Sequence, residues 1–264
     1  MLLVQSLTKT FFPGTVDEVV ALRELSLAVQ PGEFVTLIGS NGAGKSTLLN
    51  AIAGVFRCDS GRISLNGEDV TSQAEHRRAG SIARVYQDPK LGTAPGMSIE
   101  EHLAMAALRG QPRSLARGVT NAARERFCAE LEPLGIGLDQ RLKAPVGTLS
   151  GGQRQALTLI MAAIKKPSLL LLDEHTASLD PKTAARIIEL TDSVVREHEL
   201  TTLMVTHNME HALRYGSRLV MMHQGRVVLD VSGAEKARYT VLDLIAAFER
   251  QAGEKFVDDT VLLT

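Results

Sequence analysis

Short apolar runs rich in β-branched residues recur along the chain, with stretches of helical periodicity between them. Leu2 to Leu7, Phe34 to Ile38, Ile63 to Leu65, Ile82 to Val85, Leu169 to Leu172, Thr201 to Val205, Leu219 to Met222 and Val227 to Val228 read as strands. Apolar positions spaced by three and four residues predict helices over Lys45 to Ala53, Ile99 to Leu108, Ala122 to Leu134, Gln153 to Ile164, Pro181 to Glu197 and Met209 to Tyr215. Strands alternating with helices need both sheet faces covered. They predict an α/β fold with a mainly parallel central sheet and helices on both faces. Four consecutive leucines, Leu169 to Leu172, suit a strand buried on both sides.

Two regions depart from that rhythm. The first 30 residues and residues 62 to 70 read as short strands separated by turns such as Pro31-Gly32 and Asn66-Gly67, which predicts an antiparallel β layer at one edge. Residues 90 to 150 are helical with many Gly and Pro breaks, and read as an inserted helical subdomain. The expected organisation is a single domain over 1–264, with that subdomain at roughly 90–150 and a C-terminal helical tail at roughly 231–264.

Composition narrows the classes. With 264 residues the chain can bury a real core. Its 29 basic and 30 acidic residues give a net charge of −1, which argues against bulk electrostatic binding to nucleic acid. Cys58 and Cys128 stand far apart, so neither a disulfide scaffold nor a cysteine metal site is expected. The N-terminus lacks the basic start of a secretory signal, and no apolar run approaches the ~18 residues of a membrane helix. No further regulatory domain is expected after Asp230.

Three segments carry chemistry. Gly39-Ser40-Asn41-Gly42-Ala43-Gly44-Lys45-Ser46-Thr47 fits G-x-x-x-x-G-K-[ST], between the strand ending at Ile38 and the helix opening at Lys45. Glycines let backbone N–H groups turn inward around phosphate oxygens, and the helix N-terminus adds its positive dipole end. Lys45 would pair with the β- and γ-phosphates, and the Ser46 hydroxyl would ligate Mg²⁺. Leu169-Leu170-Leu171-Leu172-Asp173-Glu174 delivers two carboxylates to a buried strand's C-terminal tip. Asp173 is placed to hold Mg²⁺, directly or through water, and Glu174 to polarise an attacking water. Leu149-Ser150-Gly151-Gly152-Gln153 opens a second helix with two glycines, a second anion-binding mouth that one nucleotide bound by one chain does not need.

On these residues the chain resembles the ATP-binding subunit of an ABC transporter, whose signature matches Leu149 to Gln153. Gln153 stands 20 residues before Asp173, as the family spacing requires. The resemblance runs from about Leu3 to Asp230. It implies further roles. Gln87, in Val85-Tyr86-Gln87-Asp88-Pro89, resembles the Q-loop glutamine that reaches Mg²⁺ and water. Ser178-Leu179-Asp180 resembles the D-loop. His207 ends a strand as the switch histidine does, and Phe11 resembles the aromatic that stacks on adenine, with Phe12 beside it as the alternative. Two positions depart from the pattern: His175 where Pro is frequent, and His102 where Asn is frequent.

The resemblance implies an ATPase that powers solute movement through separate membrane permease subunits, from the cytoplasmic face of the inner membrane. It implies a second copy of the chain in a head-to-tail dimer enclosing two ATP, with the groove that receives the permease in the helical subdomain. Gln87 to Met105 and Asp173 to Asp180 resemble bacterial uptake systems, which implies a solute-binding protein as indirect partner and a small, amino-acid-like solute. The alternatives are an exporter or lipid-moving ATPase, and a soluble ATPase of iron–sulfur assembly. No nucleic acid partner is expected.

Overall fold

In a computed structural model the described residues are 1–112 and 118–252, and they form two units. One unit comprises Met1–Arg78 together with the chain from Thr201 onward, and the other comprises Ala79–Leu200.

The first unit opens with an antiparallel layer. Strands β1 (Leu2–Phe11) and β2 (Val19–Val29) pair along their lengths. The expectation of short strands in the first 30 residues is therefore corrected: these are strands of ten and eleven residues. After β3 (Phe34–Gly39) and helix α1 (Lys45–Ala53), strands β4 (Ser60–Leu65) and β5 (Glu68–Asp69) complete the layer in the order β2-β1-β4-β5. The Asn66-Gly67 turn between them has φ +52° and +85°, the pair of positive angles a tight twisted hairpin demands. A single helical turn, α2 (Glu75–Arg78), ends this part. Its Arg78 is buried and donates to the carbonyls of Ala51 and Ile52 at the end of α1.

The second unit pairs β6 (Ile82–Val85) in parallel with β7 (Leu169–Asp173). Between them come α3 (Ile99–Ala107), α4 (Asn121–Leu131) and α5 (Gly151–Ala163), and after them α6 (Pro181–Glu197). Short 3₁₀ turns over Pro89–Gly92, Glu132–Leu134, Asp139–Arg141 and Val146–Thr148 account for the Gly and Pro breaks. The approach to α5 runs beside the approach to α3: Val146 N–H donates to Met97 O and Gly147 N–H to Pro95 O, both at 2.9 Å. Asp180 caps α6 by accepting from Thr183 N–H at 3.1 Å, and Pro181 occupies the first helical position, where its missing donor costs nothing.

The chain then returns to the first unit with β8 (Thr202–Val205), α7 (Met209–Arg214), β9 (Arg218–His223) and β10 (Arg226–Ser232), giving the order β10-β9-β3-β8 there. β3 is parallel to both neighbours, and its six residues are all buried, as a central strand requires. Helices α8 (Gly233–Lys236) and α9 (Val241–Ala252) follow. Leu244, Ala247 and Phe248 of α9 pack with Ile38, Met209, Ala212, Leu219, Met221 and Val231. The tail expected over 231–264 thus begins on a strand that runs to Ser232, and its portion past 252 lies outside the described residues. Parallel strands, flanking helices and an antiparallel layer make this the α/β class expected.

Candidate functional site

In the first unit the Gly-rich run follows the C-terminal end of β3. Leu37 pairs with Val205 in the parallel β3–β8 ladder, so Gly39 and His207 each lie two residues past that pair, at the same end of adjacent strands. The loop is built against its surroundings by close backbone approach. A Cβ on Gly39 would lie 2.5 Å from Met222 O, and Ala43 O accepts from Gly225 N–H at 3.0 Å. Gly44 has φ +96°, and a side chain there would strike Ala21 O, so only glycine fits. Gly44 also provides no side-chain cap for α1.

Lys45 is buried, and its Nζ donates to Gly39 O at 2.7 Å and Ser40 O at 3.1 Å. Ser46 and Asn41 are exposed and Thr47 is half-buried. His207 is half-buried between β8 and α7, and Asn208 caps α7 by accepting from His211 N–H at 2.8 Å. Burial pushes the His211 imidazole down, with Arg214 and His207 acting in the same direction and Glu210 opposing.

The aromatic pair divides. Phe11 is half-buried and meets Phe56 edge-on at 5.5 Å, with Lys9 Nζ 5.5 Å from its ring centre. Phe12 adopts φ +52° and is 67% exposed.

In the second unit, β7 carries Asp173 and Glu174 to its C-terminal tip. Glu174 takes φ +46°, a left-handed conformation that a glutamate adopts only under constraint. Asp173 Oδ2 accepts from Arg84 Nη2 at 2.5 Å. Gln87 has an exposed side chain, while its main-chain oxygen accepts from Ser178 Oγ at 3.2 Å. Tyr86 O accepts from Gln155 Nε2 at 3.3 Å, which ties α5 to the residue before Gln87. At the start of α5, Ser150 Oγ accepts from Gln153 N–H, and Gln153 Oε1 accepts from Ser150 N–H, both at 3.2 Å, a reciprocal cap. Ser150 and Gly151 are exposed, and a side chain on Gly152 would strike Thr183 Cγ2 of α6. Hydrogen bonds from Thr183, whose backbone N–H donates at 3.1 Å, hold the Asp180 carboxyl below the usual range.

The first unit therefore carries Gly39 to Thr47, Phe11 and His207, and the second carries Gln87, Ser150 to Gln153, Asp173, Glu174 and Ser178, of which Ser178 and Gln87 are in direct contact. The two departures are packing residues. His102 accepts from Ala94 N–H at Nε2 (2.9 Å), so its Nδ1 carries the proton and donates to Ser98 O at 2.8 Å. His175 is buried, with Nε2 2.9 Å from Thr191 Oγ1. Sequence reasoning missed Arg84 and Gln155. The signal for Arg84 was a lone charge inside an apolar strand.

A lone carboxylate such as Asp173 is a donor of the kind Mg²⁺ takes, since that ion keeps waters and phosphate oxygens instead of an all-protein cage. Asp173 is paired with the Arg84 guanidinium. Among the described residues, no helix is long and apolar enough to cross a membrane.

Comparison with solved structures gives the class. The chain superposes on an ATP-binding cassette of an ABC transporter in its ADP conformation with a TM-score of 0.78, at 25% identity, covering 96% of this chain and 99% of that one. A dimeric cassette in a post-hydrolysis state, bound to ADP and phosphate, matches with a TM-score of 0.74 at 25% identity, over 88% and 98%. The protein is a P-loop ATPase cassette.

The family described as ABC transporter matches residues 22–177. A tyrosine transport ATP-binding protein of Clostridioides difficile is 47% identical over 250 residues, covering 94% of this chain and 99% of the relative. A phosphonates import ATP-binding protein of Stutzerimonas stutzeri is 34% identical, over 92% and 89%. The chain belongs to the ABC transporter family: it binds nucleotide, and it is an ATPase coupled to transport.

Proposed function

We propose that this subunit powers uptake of a small amino-acid-like solute through membrane permease subunits, working at the cytoplasmic face of the inner membrane as a head-to-tail dimer. The observation that carries the solute class is the 47% identity, across nearly the whole of both chains, to a relative named for tyrosine transport. A solute-binding protein delivers the solute to the permease, so no residue of this chain reads it.

In this reading Lys45 leaves the carbonyls of Gly39 and Ser40 for the β- and γ-phosphates of ATP, which the loop N–H groups of Gly42 to Thr47 also cradle. Ser46 and Asp173 would hold Mg²⁺, which would neutralise charge on the phosphate oxygens. Phe11, steadied by Phe56 and Lys9, stacks on adenine. Glu174 accepts the proton of the attacking water as it adds to the γ-phosphoryl group, Gln87 orients that water, and His207 contacts the γ-phosphate. Ser150 to Gln153 serve the opposite subunit's ATP. Ser150 Oγ accepts within its cap, so its proton is available for donation to a phosphate oxygen.

The test is reconstitution. The chain is co-expressed with permease subunits and a binding protein encoded beside it, and the complex is placed in vesicles with ATP on the side of this subunit. Movement of tyrosine or a related amino acid toward the ATP side, with hydrolysis stimulated by the loaded binding protein, is expected. Movement away from the ATP side would mean an exporter, and hydrolysis with no permease partner would favour a soluble ATPase. Separate Phe11→Ala and Phe12→Ala variants test the base contact: the former alone should weaken ATP and adenosine alike.

A further inference from the structure

Arg84 is the single charged residue in β6, and its side chain is 12% exposed. It sits opposite Leu171 in the β6–β7 ladder, two residues short of the tip that carries Asp173, and reaches forward along the sheet to that carboxylate. Asp173 is itself only 14% exposed, so the pair is formed largely away from water. The guanidinium carbon lies 4.7 Å from the centre of the Tyr86 ring, and Tyr86 is in turn held through its carbonyl by buried Gln155. Placing an arginine in an apolar strand is costly unless its charge is matched. Nothing in strand pairing asks for it. The match it has found is the carboxylate that the functional reading assigns to Mg²⁺.

We propose that Arg84 is the resident counter-cation of Asp173: it fixes the carboxylate and keeps the nucleotide-free subunit from collecting a divalent cation there. Arg84 is thus a positioning residue for the metal ligand. A divalent ion beside Asp173 adds two positive charges next to a guanidinium held in place by stacking and by its ion pair. That repulsion weakens metal binding until the phosphates of ATP bring the balancing negative charge. Metal then enters with nucleotide, not ahead of it. The inference rests on the reading of Asp173 as a metal ligand.

Mn²⁺ titration of the nucleotide-free full chain, read by electron paramagnetic resonance, tests it. Arg84→Met should bind Mn²⁺ about tenfold more tightly than wild type, since one fixed opposing charge is gone. Arg84→Lys keeps the charge and should stay within about twofold of wild type. The double variant Arg84→Met with Asp173→Asn should lose the gain. Equal affinity of Arg84→Met and wild type, with both shown folded by thermal melting, overturns the proposal. Should Arg84→Met fail to fold, Arg84→Gln against Arg84→Lys decides: tighter binding by Gln supports the proposal and equal binding overturns it. The underlying reading is checked separately by calorimetry of ATP binding with and without Mg²⁺. Loss of the Mg²⁺ enhancement in Asp173→Asn keeps Asp173 as a metal ligand whatever Arg84 does. An unchanged enhancement removes Asp173 from the metal site, and the proposal falls with it.

Discussion

Lys45 Nζ donates to the main-chain oxygen of Gly39 at 2.7 Å, so the lysine that follows the glycine loop reaches back to the residue that begins it. A second bond, to Ser40 O at 3.1 Å, holds the ammonium in place. A buried ammonium needs such partners, and these two carbonyls are among those that Lys45 has. Phosphate oxygens offer full negative charge where the carbonyls offer partial charge, so exchange toward nucleotide is favourable.

Replacing Lys45 by Ala removes a charge-assisted phosphate contact of order 1.5–3 kcal/mol. ATP affinity should fall roughly tenfold or more, while adenosine, which has no phosphate, should bind almost as before. Titration calorimetry with both ligands is the check. Unchanged ATP binding would remove Lys45 from the phosphate site.

Glu174 stands at the strand tip with φ +46°, a conformation held in place by its surroundings. Glu174→Gln keeps the side chain's size but cannot take a proton from water. ATP binding should be retained and hydrolysis slowed at least ~10²-fold, in line with loss of a general base. ATP-bound dimers should accumulate and run as such by size exclusion. Near-normal turnover would assign the base elsewhere.

The motifs were legible because each is local: a strand, then a few residues whose backbone freedom or charge the chemistry needs. The hairpin at Asn66-Gly67 and the Asp180-Pro181 helix start were legible for the same reason. The long strands β1 and β2 were not, because each contains an irregularity. Ser6 and Glu24 take φ +46° and +51°, the β1–β2 register shifts between Val4 and Leu7, and neighbouring residues Gln5-Ser6 and Arg23-Glu24 both face solvent. The alternation of apolar and polar positions therefore slips midway, and one strand reads as two short ones. The Arg84–Asp173 pair was hidden for another reason. Its partners are 89 residues apart, and no local pattern encodes a contact across a ladder.

Lys236 gives the fold a pH dependence with a definite sign. Its ammonium is buried against Tyr215 O and Gly216 O just past the end of α7, and burial pulls its pKa from 10.5 down to about 8. Between about pH 8 and 10.5 the unfolded chain therefore holds a proton that the folded chain has lost. Stability from this group rises with pH across that window. Denaturant midpoints of wild type and Lys236→Met, compared from pH 7.5 upward, should show the wild-type advantage growing with pH. An advantage that shrinks would mean the two carbonyls favour the charged form in the fold.

Whether each ATP site is built from two chains is decided by complementation. Gly151 and Gly152 lie in the first turn of α5, which Ser150 caps through Gln153 N–H, while the glycine loop before α1 is the proposed phosphate cradle of the same chain. The signature mouth should therefore serve the opposite subunit's nucleotide. Lys45→Ala disables the loop, and Ser150→Arg blocks the mouth with bulk while removing the cap. In either homodimer both sites carry a lesion. In a mixed dimer with shared sites, one site receives both lesions and the other receives neither. Mixing the two variants in a Glu174→Gln background should restore one trapped ATP per mixed dimer, counted by labelled nucleotide on dimers isolated through two different tags. If the mouth acted on its own chain's ATP, both sites of the mixed dimer would keep one lesion and no nucleotide would be trapped. That result, with mixed dimers in hand, would end the head-to-tail arrangement.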